Sequence, residues 1–470
     1  MSMTWKIPEV AERAYGKAPS IWVCVVGYVV VQVAGILITV LTWEQGKSVI
    51  SGTFFLRALG IPLLVTGIIC ALNYVEYERW IETTNWWNFL CRDERTRWRR
   101  WAQAHLPIIG SVVLTPEAEL AERLLGLEGS VPMNPGKVMA LPASELALGQ
   151  SRIELILEQL VTPFVGYISR FAGTHTFHIV LQSDSEQHLT ELRALLRKLE
   201  VRDLDLVKIS QAAPGTEPAM IGQWLAGNPM PDFCLQLACQ LHEEGKEPPY
   251  SEVAVGMLFA SADIIARSKG KLKPQARLFR PIFAASDAVF DSLNTLLAAV
   301  QTPTERIKHL WLSRLPRPGH HATVAAVKDA GLQLAQHDVD HAIGKPGSVN
   351  ALLLQALGAQ MVQHGQGAQL IASPSEISEM GVMLNLVAAQ ASPVPGVPPV
   401  YYRLLSLSVT VGFACIGLLF LCLTDTLDVK ASWPLIAVIV LCVLMLPLQI
   451  GGSILNRRLT EDDFYRRLRY

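Results

Sequence analysis

The sequence lacks the cysteine patterns that build disulfide scaffolds or zinc sites. Five of its eight cysteines lie in long apolar stretches, at Cys24, Cys70, Cys415, Cys422 and Cys442. The other three, Cys91, Cys234 and Cys239, show no repeated metal-ligand spacing. This usage excludes a dense disulfide framework and indicates a reducing compartment for the central part of the chain.

The chain also lacks an excess of charge of either sign. Its formal net charge is −1, so nothing indicates nucleic acid as a partner. There is no Gly-x-Ser-x-Gly elbow and no dinucleotide fingerprint. The turn at Gly344 and Lys345 lacks the spacing of a phosphate-binding loop. We therefore predict no metal and no cofactor.

Four long apolar stretches are present, in two pairs. They span residues 21–43 and 58–75 near the N-terminus, and 404–424 and 433–456 near the C-terminus. Each is long enough to cross about 30 Å of hydrocarbon as a helix. The pattern predicts transmembrane hairpins at 21–75 and 404–456. No ionisable residue lies deep inside these stretches, which favours anchoring over transport.

The basic residues indicate how the hairpins are oriented. Lysine and arginine concentrate in the N-terminal segment 1–20, after the second stretch, and in the tail 457–470. The two short turns carry only Lys47, and Lys430 beside Asp425 and Asp428. The positive-inside rule then places both termini and the central domain in the cytoplasm. We expect a multi-pass protein of a bacterial inner membrane, with the lipid bilayer as one partner.

Residues 76–106 form a juxtamembrane segment rich in tryptophan and arginine. Such residues suit the headgroup level of a bilayer, with rings inward and guanidinium groups toward anionic lipid. The alternative is a helix that continues from the second span and packs on the soluble body. The residues predicted to lie at the membrane interface are Trp80, Trp86, Trp87, Trp98, Arg99, Arg100 and Trp101.

Between the hairpins, residues 107–392 alternate between helical and strand patterns. This alternation predicts an α/β domain with helices outside a buried sheet, followed by a proline-rich linker at 393–403. The expected helices are Ile153–Phe171, Gln187–Leu199, Ala219–Leu225, Ala288–Val300, Thr323–Leu334 and Ser348–His364. The expected strands are Thr176–Gln182, Leu204–Ile209, Phe233–Leu241, Val253–Ala260, His309–Ser313, Gln369–Ala372 and Gly381–Val387.

Part of this domain resembles the β-ketoacyl synthases of the thiolase superfamily. The stretch Ser251–Ala260 is similar to the strand that closes the first half of those enzymes, and Ala266–Leu278 to the turn and strand that open the second. Ile343–Asn350, with the helix and strand after it, is similar to their late glycine loop. The resemblance implies a thiolase-like layered domain with two related halves that meet near Leu278. It also implies a possible homodimer.

The same resemblance implies which catalytic groups are missing. The family's nucleophilic cysteine would lie in Ser210–Pro218, which contains no cysteine. The family's first histidine turn corresponds to the region before His320 and His321, and its second histidine to Lys345. The closing glycine motif is replaced by Ser378–Met383. We therefore predict that the domain is not an enzyme and that Cys234 and Cys239 are buried strand residues.

A fold that has lost its catalytic groups still has the concave mouth that they lined. That mouth is expected at Ser210–Pro218, Arg314–His321 and Ile343–Gly347. Its cationic side chains would suit an acidic protein surface; ordinary solvated loops are the alternative. The residues predicted to bind a partner are Arg314, Arg317, His320, His321 and Lys345.

The function predicted from these features is binding of an unidentified protein partner at the cytoplasmic face of the membrane. An accessory, adaptor or immunity-type role would fit. The layout of two hairpins resembles that of large membrane proteins found beside type VI secretion effectors. The alternative function is that of a membrane-bound acyl transferase or condensing enzyme of lipid or polyketide metabolism.

Overall fold

The structure is a computed structural model that describes residues 3–469 except 143–150, 184, 214, 244, 376–379 and 427–431. The helices are α1 Ile21–Leu41, α2 Gly52–Phe55, α3 Ile61–Ala102, α4 Leu120–Leu124, α5 Arg152–Val161, α6 Val165–Phe171, α7 Gln187–Lys198, α8 Glu217–Leu225, α9 Ala262–Arg267, α10 Val289–Ala298, α11 Arg317–Asp329, α12 Val339–Ile343, α13 Asn350–Gln363, α14 Leu407–Thr426 and α15 Trp433–Arg469. The strands are β1 His105–Leu114, β2 Phe177–Gln182, β3 Lys208–Ala212, β4 Phe233–Gln240, β5 Val253–Ala260, β6 Ala276–Phe279, β7 Ile282–Ala284, β8 Ile307–Leu312, β9 Ala335–Asp338, β10 Ala368–Pro374 and β11 Val382–Ala388.

The chain divides into two compact units. An α/β unit comprises Met1–Lys6 and Trp98–Val394, and a helical unit comprises Ile7–Arg97 and Pro395–Tyr470. In the described residues, four helical stretches are long and apolar enough to cross a membrane: Ile21–Leu41, Gly52–Ala102, Leu407–Thr424 and Trp433–Leu468. They coincide with the four stretches read from the sequence, so spanning-type helices at both ends of the chain are confirmed.

The α/β unit contains one eleven-stranded mixed sheet built from two halves with the same topology. Strand order is β3-β2-β4-β5-β1 in the first half and β6-β11-β10-β8-β9 in the second, with β7 paired to β11. In each half three neighbouring strands are parallel: β3, β2 and β4, then β9, β8 and β10. The next two strands are antiparallel in both halves. The predicted relation between the halves is confirmed by this strand pairing.

The halves join through one antiparallel pair, β1 with β6. Leu106 lies opposite Leu278 and His105 opposite Phe279, which confirms the predicted meeting point near Leu278. The predicted strands Val253–Ala260 and Gly381–Val387 both lie inside the sheet, as β5 and β11. Every residue of these two strands is buried, and this explains why their sequences are apolar apart from Asn385 in β11.

Helices cover both halves of the sheet. Helices α5 and α7 pack on the first half with the cluster around Leu157, Leu195 and Phe233. On the second half, α10 and α11 pack with the cluster around Leu293 and Leu310. Helix α13 contacts strands of both halves and is buried on nearly all sides. The unit is therefore layered, with α13 between the two half-sheets.

Three predictions about this unit are wrong in detail. Strand β1, at the centre of the sheet, was not predicted because Pro107 and Gly110 interrupt its apolar run; proline and glycine normally argue against a central strand. The strand expected at Leu204–Ile209 is a short 3₁₀ turn followed by β3, which starts at Lys208. The helix expected at Thr323–Leu334 is α11, which begins at Arg317 because Pro318 fits the first turn of a helix.

Candidate functional site

The predicted mouth is centred on the junction between β8 and α11. Strand β8 ends at Leu312, and the chain turns through Arg314, whose φ is +58°. Arg317 and His321 are exposed and His320 is half-buried. His320 and His321 belong to the first turns of α11, so the expected polar loop is instead the start of a helix. Their rings lie edge to face, with centroids 5.8 Å apart.

A cavity of about 270 Å³ opens beside these residues. Its other wall comes from the end of β9 and from α12, which bring Asp338, Asp340 and His341 next to Arg317 and His320. These acidic residues were not predicted as part of the site. They directly follow a strand, which is a position typical of functional carboxylates, but the polar sequence of β9 hides the strand itself.

The two carboxylates have different surroundings. Asp338 lies 2.7 Å from His341 Nδ1 and 3.6 Å from His320 Nε2, so two imidazoles contact its carboxylate. Burial raises the pKa of Asp340 to about 6, although the Ser313 hydroxyl and the Arg314 amide both donate to its carboxylate. The cavity floor therefore gains a negative charge as the pH rises through about 6.

Behind the cavity, a chain of buried polar groups leads into the core. Asn350 donates from Nδ2 to Ser313 Oγ at 2.9 Å and accepts at Oδ1 from the Gly347 amide at 3.1 Å. Gln240 Oε1 accepts from the Val349 amide at 3.1 Å, next to the start of α13. Asn350, Gln240 and Ser313 are at most 2% exposed. These side chains fill the space at the N-terminus of α13 and bond to one another.

The other two predicted loops lie close to this network. Gly347 is packed so tightly that a Cβ there would come within 2.2 Å of Gln240 Oε1. A Cβ on Gly215 would lie 3.5 Å from the Cβ of Ser348, so the loop after β3 reaches the same place. That loop is shorter than predicted, because Ser210 belongs to β3 and α8 begins at Glu217. Pro214 and Ser378 lie outside the described residues.

Residues 137–141, here called the strap, hydrogen-bond to the turn at Lys345 and to the residue before β5. The Lys345 amide donates to Lys137 O at 2.8 Å, and the Ser251 amide donates to Lys345 O at 2.8 Å. Glu252 and Met139 are linked by a further backbone hydrogen bond of 2.8 Å. The strap thus joins the start of β5 to the turn at Lys345. The Lys345 side chain is exposed.

The central unit places no reactive cysteine at this site. Cys234 and Cys239 are buried in β4, and burial raises the pKa of each thiol to about 12. A thiolate is the form that attacks an acyl group. Both thiols are protonated at neutral pH. In the part of the chain that the structure describes, no group of three or more His, Cys, Asp or Glu side chains is placed to hold a metal ion.

A larger cleft of about 650 Å³ lies elsewhere in the α/β unit, between β1, α4, α5 and α13. Glu117, Glu119 and Glu122 line it, whereas Arg123 pairs with Glu117 at 2.7 Å. The cleft is therefore acidic along one wall. This acidic wall contrasts with the cationic rim of the mouth, and no pattern in the sequence indicated it.

The tryptophans predicted to face lipid contact protein instead, except for Trp80. In the helical unit, Trp86 and Trp87 are buried in a cluster with Phe464, and Arg457 and Arg13 stack over their rings at 3.9 and 3.6 Å. Trp80 is 47% exposed. The juxtamembrane segment continues the helix of the second apolar stretch as far as Ala102, as the alternative of a continuous helix predicted.

In the α/β unit, Trp98 is buried and donates from Nε1 to Thr4 O at 3.2 Å. Arg280 stacks over Trp101 at 4.3 Å. Arg99 and Arg100 are exposed. Cation–π stacking therefore accounts for three of the predicted interface tryptophans, Trp86, Trp87 and Trp101, without any lipid.

No protein-family model and no curated protein matches the chain. Among solved structures, the chain is similar to an oxazolomycin ketosynthase domain of Streptomyces albus (11% identity, 64% of this chain, 99% of that one, TM-score 0.41). It is also similar to OleA of Xanthomonas campestris (13%, 61%, 98%, 0.36) and to human mitochondrial 3-ketoacyl-CoA thiolase (8%, 62%, 99%, 0.35). These are ketosynthase- and thiolase-type proteins, the superfamily that the sequence resembles. The similarity to these structures concerns the fold alone. The relation between the two halves of the sheet is seen in their strand pairing.

Proposed function

We propose that this chain is a membrane-anchored, catalytically inactive thiolase-like protein that binds a protein partner at the mouth of its α/β unit. The observation that carries the proposal is the filled network behind the mouth. Asn350 bonds to Ser313 there, Gln240 bonds to the Val349 amide and the Ser251 carbonyl, and the two cysteines of the unit are held as buried thiols. A mouth without a cysteine thiolate supports binding over acyl transfer.

The rim of the mouth suits an acidic protein surface. Arg314, Arg317 and Lys345 are exposed, and among the described residues none of their side chains forms an ion pair. In the described part of the chain, the Asp338 carboxylate beside them contacts His320 and His341 and not these cations. Unpaired cations on a rim steer an oppositely charged partner toward the site.

Charge reversal at the mouth tests this proposal. The double variant R314E/R317E should lower capture of the partner from detergent-solubilised membranes by about tenfold or more, because like charges across an interface repel. The matched control is R193E/R202E, which reverses two exposed arginines elsewhere in the same unit. Quantitative mass spectrometry of the captured proteins is the measurement.

Equal capture by both double variants would contradict a binding site at the mouth. Transfer of an acyl group from an acyl carrier substrate onto Cys234 or Cys239 would contradict inactivity and favour the acyl transferase alternative. Membrane abundance of each variant, measured in parallel, shows whether it folds and inserts.

The proposed location is a bacterial inner membrane with both termini and the α/β unit in the cytoplasm. The basic flanks around the four apolar stretches support it. Reporter fusions after Glu44 and Asp428 should indicate the periplasm, and a fusion near Gly215 the cytoplasm. A periplasmic signal at Gly215 would reverse the topology.

Within this proposal, the partner could be a secreted effector, and the chain its adaptor, accessory or immunity-type protein beside a type VI secretion system. The layout of two hairpins around a binding unit supports that role. Export of a co-encoded effector, or survival of cells exposed to it, should then fail when the chain is deleted. Unchanged export and survival would contradict the role.

A further inference from the structure

The helical unit contains a groove of about 550 Å³ between α3, α14 and α15. The groove lies where the apolar stretches of these helices give way to charged residues. On α3 the change falls between Val75 and Glu78, and on α15 between Leu455 and Arg457. Arg403 precedes α14. In a spanning helix, such a change marks the boundary between hydrocarbon and headgroups.

Part of the groove lining is apolar. It is lined by Leu405, Leu407, Val409, Leu455 and Leu459. Leu407, Leu455 and Leu459 are 71%, 58% and 56% exposed. Aliphatic side chains exposed along a groove favour an extended hydrocarbon chain as the occupant, because burial against it removes apolar surface from water.

The rest of the lining contains charged residues of both signs in equal number. Glu78 accepts hydrogen bonds from the Ser406 hydroxyl at 2.6 Å and the Ser408 hydroxyl at 2.8 Å, so its carboxylate is already satisfied. Glu82 lies 3.6 Å from Arg403 Nε. Arg79 is exposed and, among the described residues, its guanidinium has no partner.

These observations describe a site with two cations, two carboxylates and an aliphatic wall. A phosphodiester matches the guanidinium groups of Arg79 and Arg403, since Arg binds phosphate oxygens through several N–H donors. The balance of charge disfavours a headgroup with a net negative charge. Glu82, which accepts from the Arg403 amide at 3.3 Å, lies beside the guanidinium assigned to the phosphodiester and supplies the negative charge that an ammonium group requires.

We propose that this groove binds one zwitterionic phospholipid of the phosphatidylethanolamine type. Its phosphodiester lies at Arg79 and Arg403, its ammonium group faces Glu82, and one acyl chain lies along the leucine and valine wall. This inference rests on the membrane anchoring in the proposed function. It assigns the juxtamembrane part of the helical unit a lipid-binding role in addition to spanning.

Two neighbouring glycines of α15 provide a matched test. A Cβ on either Gly451 or Gly452 meets nothing within 4 Å, and both residues are exposed, but only Gly452 lines the groove. The variant G452W places an indole in the groove, whereas G451W places it outside. Both changes put the same residue into the same helix, so their effects on helix propensity cancel.

The measurement is native mass spectrometry of the full chain purified in mild detergent, followed by analysis of the released lipid. We expect the natural protein and G451W to retain one phosphatidylethanolamine. G452W should retain about one tenth as much phosphatidylethanolamine as the natural protein. R79A should retain several-fold less phosphatidylethanolamine than the natural protein. R458A, which removes another exposed arginine of the boundary region, should retain as much as the natural protein.

Equal retention by G452W and G451W, or no bound phospholipid on the natural protein, would overturn the inference. Retention of phosphatidylglycerol or cardiolipin in place of phosphatidylethanolamine would overturn the headgroup assignment. Vesicle flotation separates these failures from failure of the proposed function. If the natural protein does not float with vesicles, the proposed membrane anchoring is wrong. If the natural protein and all variants float alike, the anchoring stands and lipid retention alone decides whether the groove is a lipid site.

Discussion

Replacing Glu252 by alanine should lower the free energy of unfolding of the α/β unit by about 2–5 kcal/mol, the cost of leaving two backbone amides without an acceptor. The Glu252 carboxylate is fully buried and accepts from the Leu141 amide at 2.7 Å and the His242 amide at 2.8 Å. Arg152 donates to both of its oxygens. Alanine leaves both buried amides without an acceptor, whereas the half-exposed Arg152 can reach water.

The same carboxylate makes stability depend on pH. Burial alone would raise the pKa of Glu252, but the hydrogen bonds from His242, Arg152 and Leu141 outweigh it and hold the pKa below its usual value. A depressed pKa contributes stability above the unfolded value of about 4.3. That contribution is lost as the pH falls through the pKa of the folded state. The E252A variant should lack this acid-dependent loss.

Denaturant unfolding of the detergent-solubilised full chain, monitored through hydrogen exchange in β5, measures both the loss of stability and its dependence on pH. The control is E154A, which removes the carboxylate of an exposed pair with Lys198 and should change stability little. E252Q keeps the shape without the charge and should lie between the two. A loss for E252A no larger than for E154A would show that the strap at 137–141 is held by other contacts.

The sequence could predict the strands that are buried on both faces, and it failed where a strand is interrupted or polar. Val253–Ala260 is an unbroken apolar run and was predicted with its observed bounds. Strand β1 was missed because of Pro107 and Gly110. Strand β9 was missed because most of its residues are polar or exposed. Both missed strands are held in place by their neighbours in the sheet rather than by local pattern.

The candidate site could be located only in outline. The family resemblance indicated the loops around Arg314, Lys345 and Gly215, and the structure brings them together around Asn350. It could not indicate Asp340, because no local pattern shows that α12 returns to the end of β8. Composition likewise cannot distinguish a tryptophan buried against lipid from one buried against protein, as Trp87 demonstrates.

Replacing Gly344 by alanine should lower the free energy of unfolding by about 3–5 kcal/mol, from backbone strain and overpacking together. Gly344 has φ +89° and ψ −149°, a region that is essentially open only to glycine. A Cβ there would lie 2.1 Å from the carbonyl oxygen of Lys137. Relief of that contact must move the strap or the turn, so the hydrogen bond from Lys345 to Lys137 is lost and the rim of the mouth shifts.

The control for this variant is G365A. Gly365 also has a positive φ, +77°, but a Cβ there meets nothing within 4 Å, so only the left-handed conformation costs free energy, about 1–2 kcal/mol. The difference between the two variants, measured by denaturant unfolding, isolates the close approach to Lys137. Because Glu252 and Gly344 hold the same strap from opposite ends, the double variant E252A/G344A should lose less than the sum of the single losses. Strict additivity would mean that the strap does not couple the two positions, and that the mouth is supported by α13 alone.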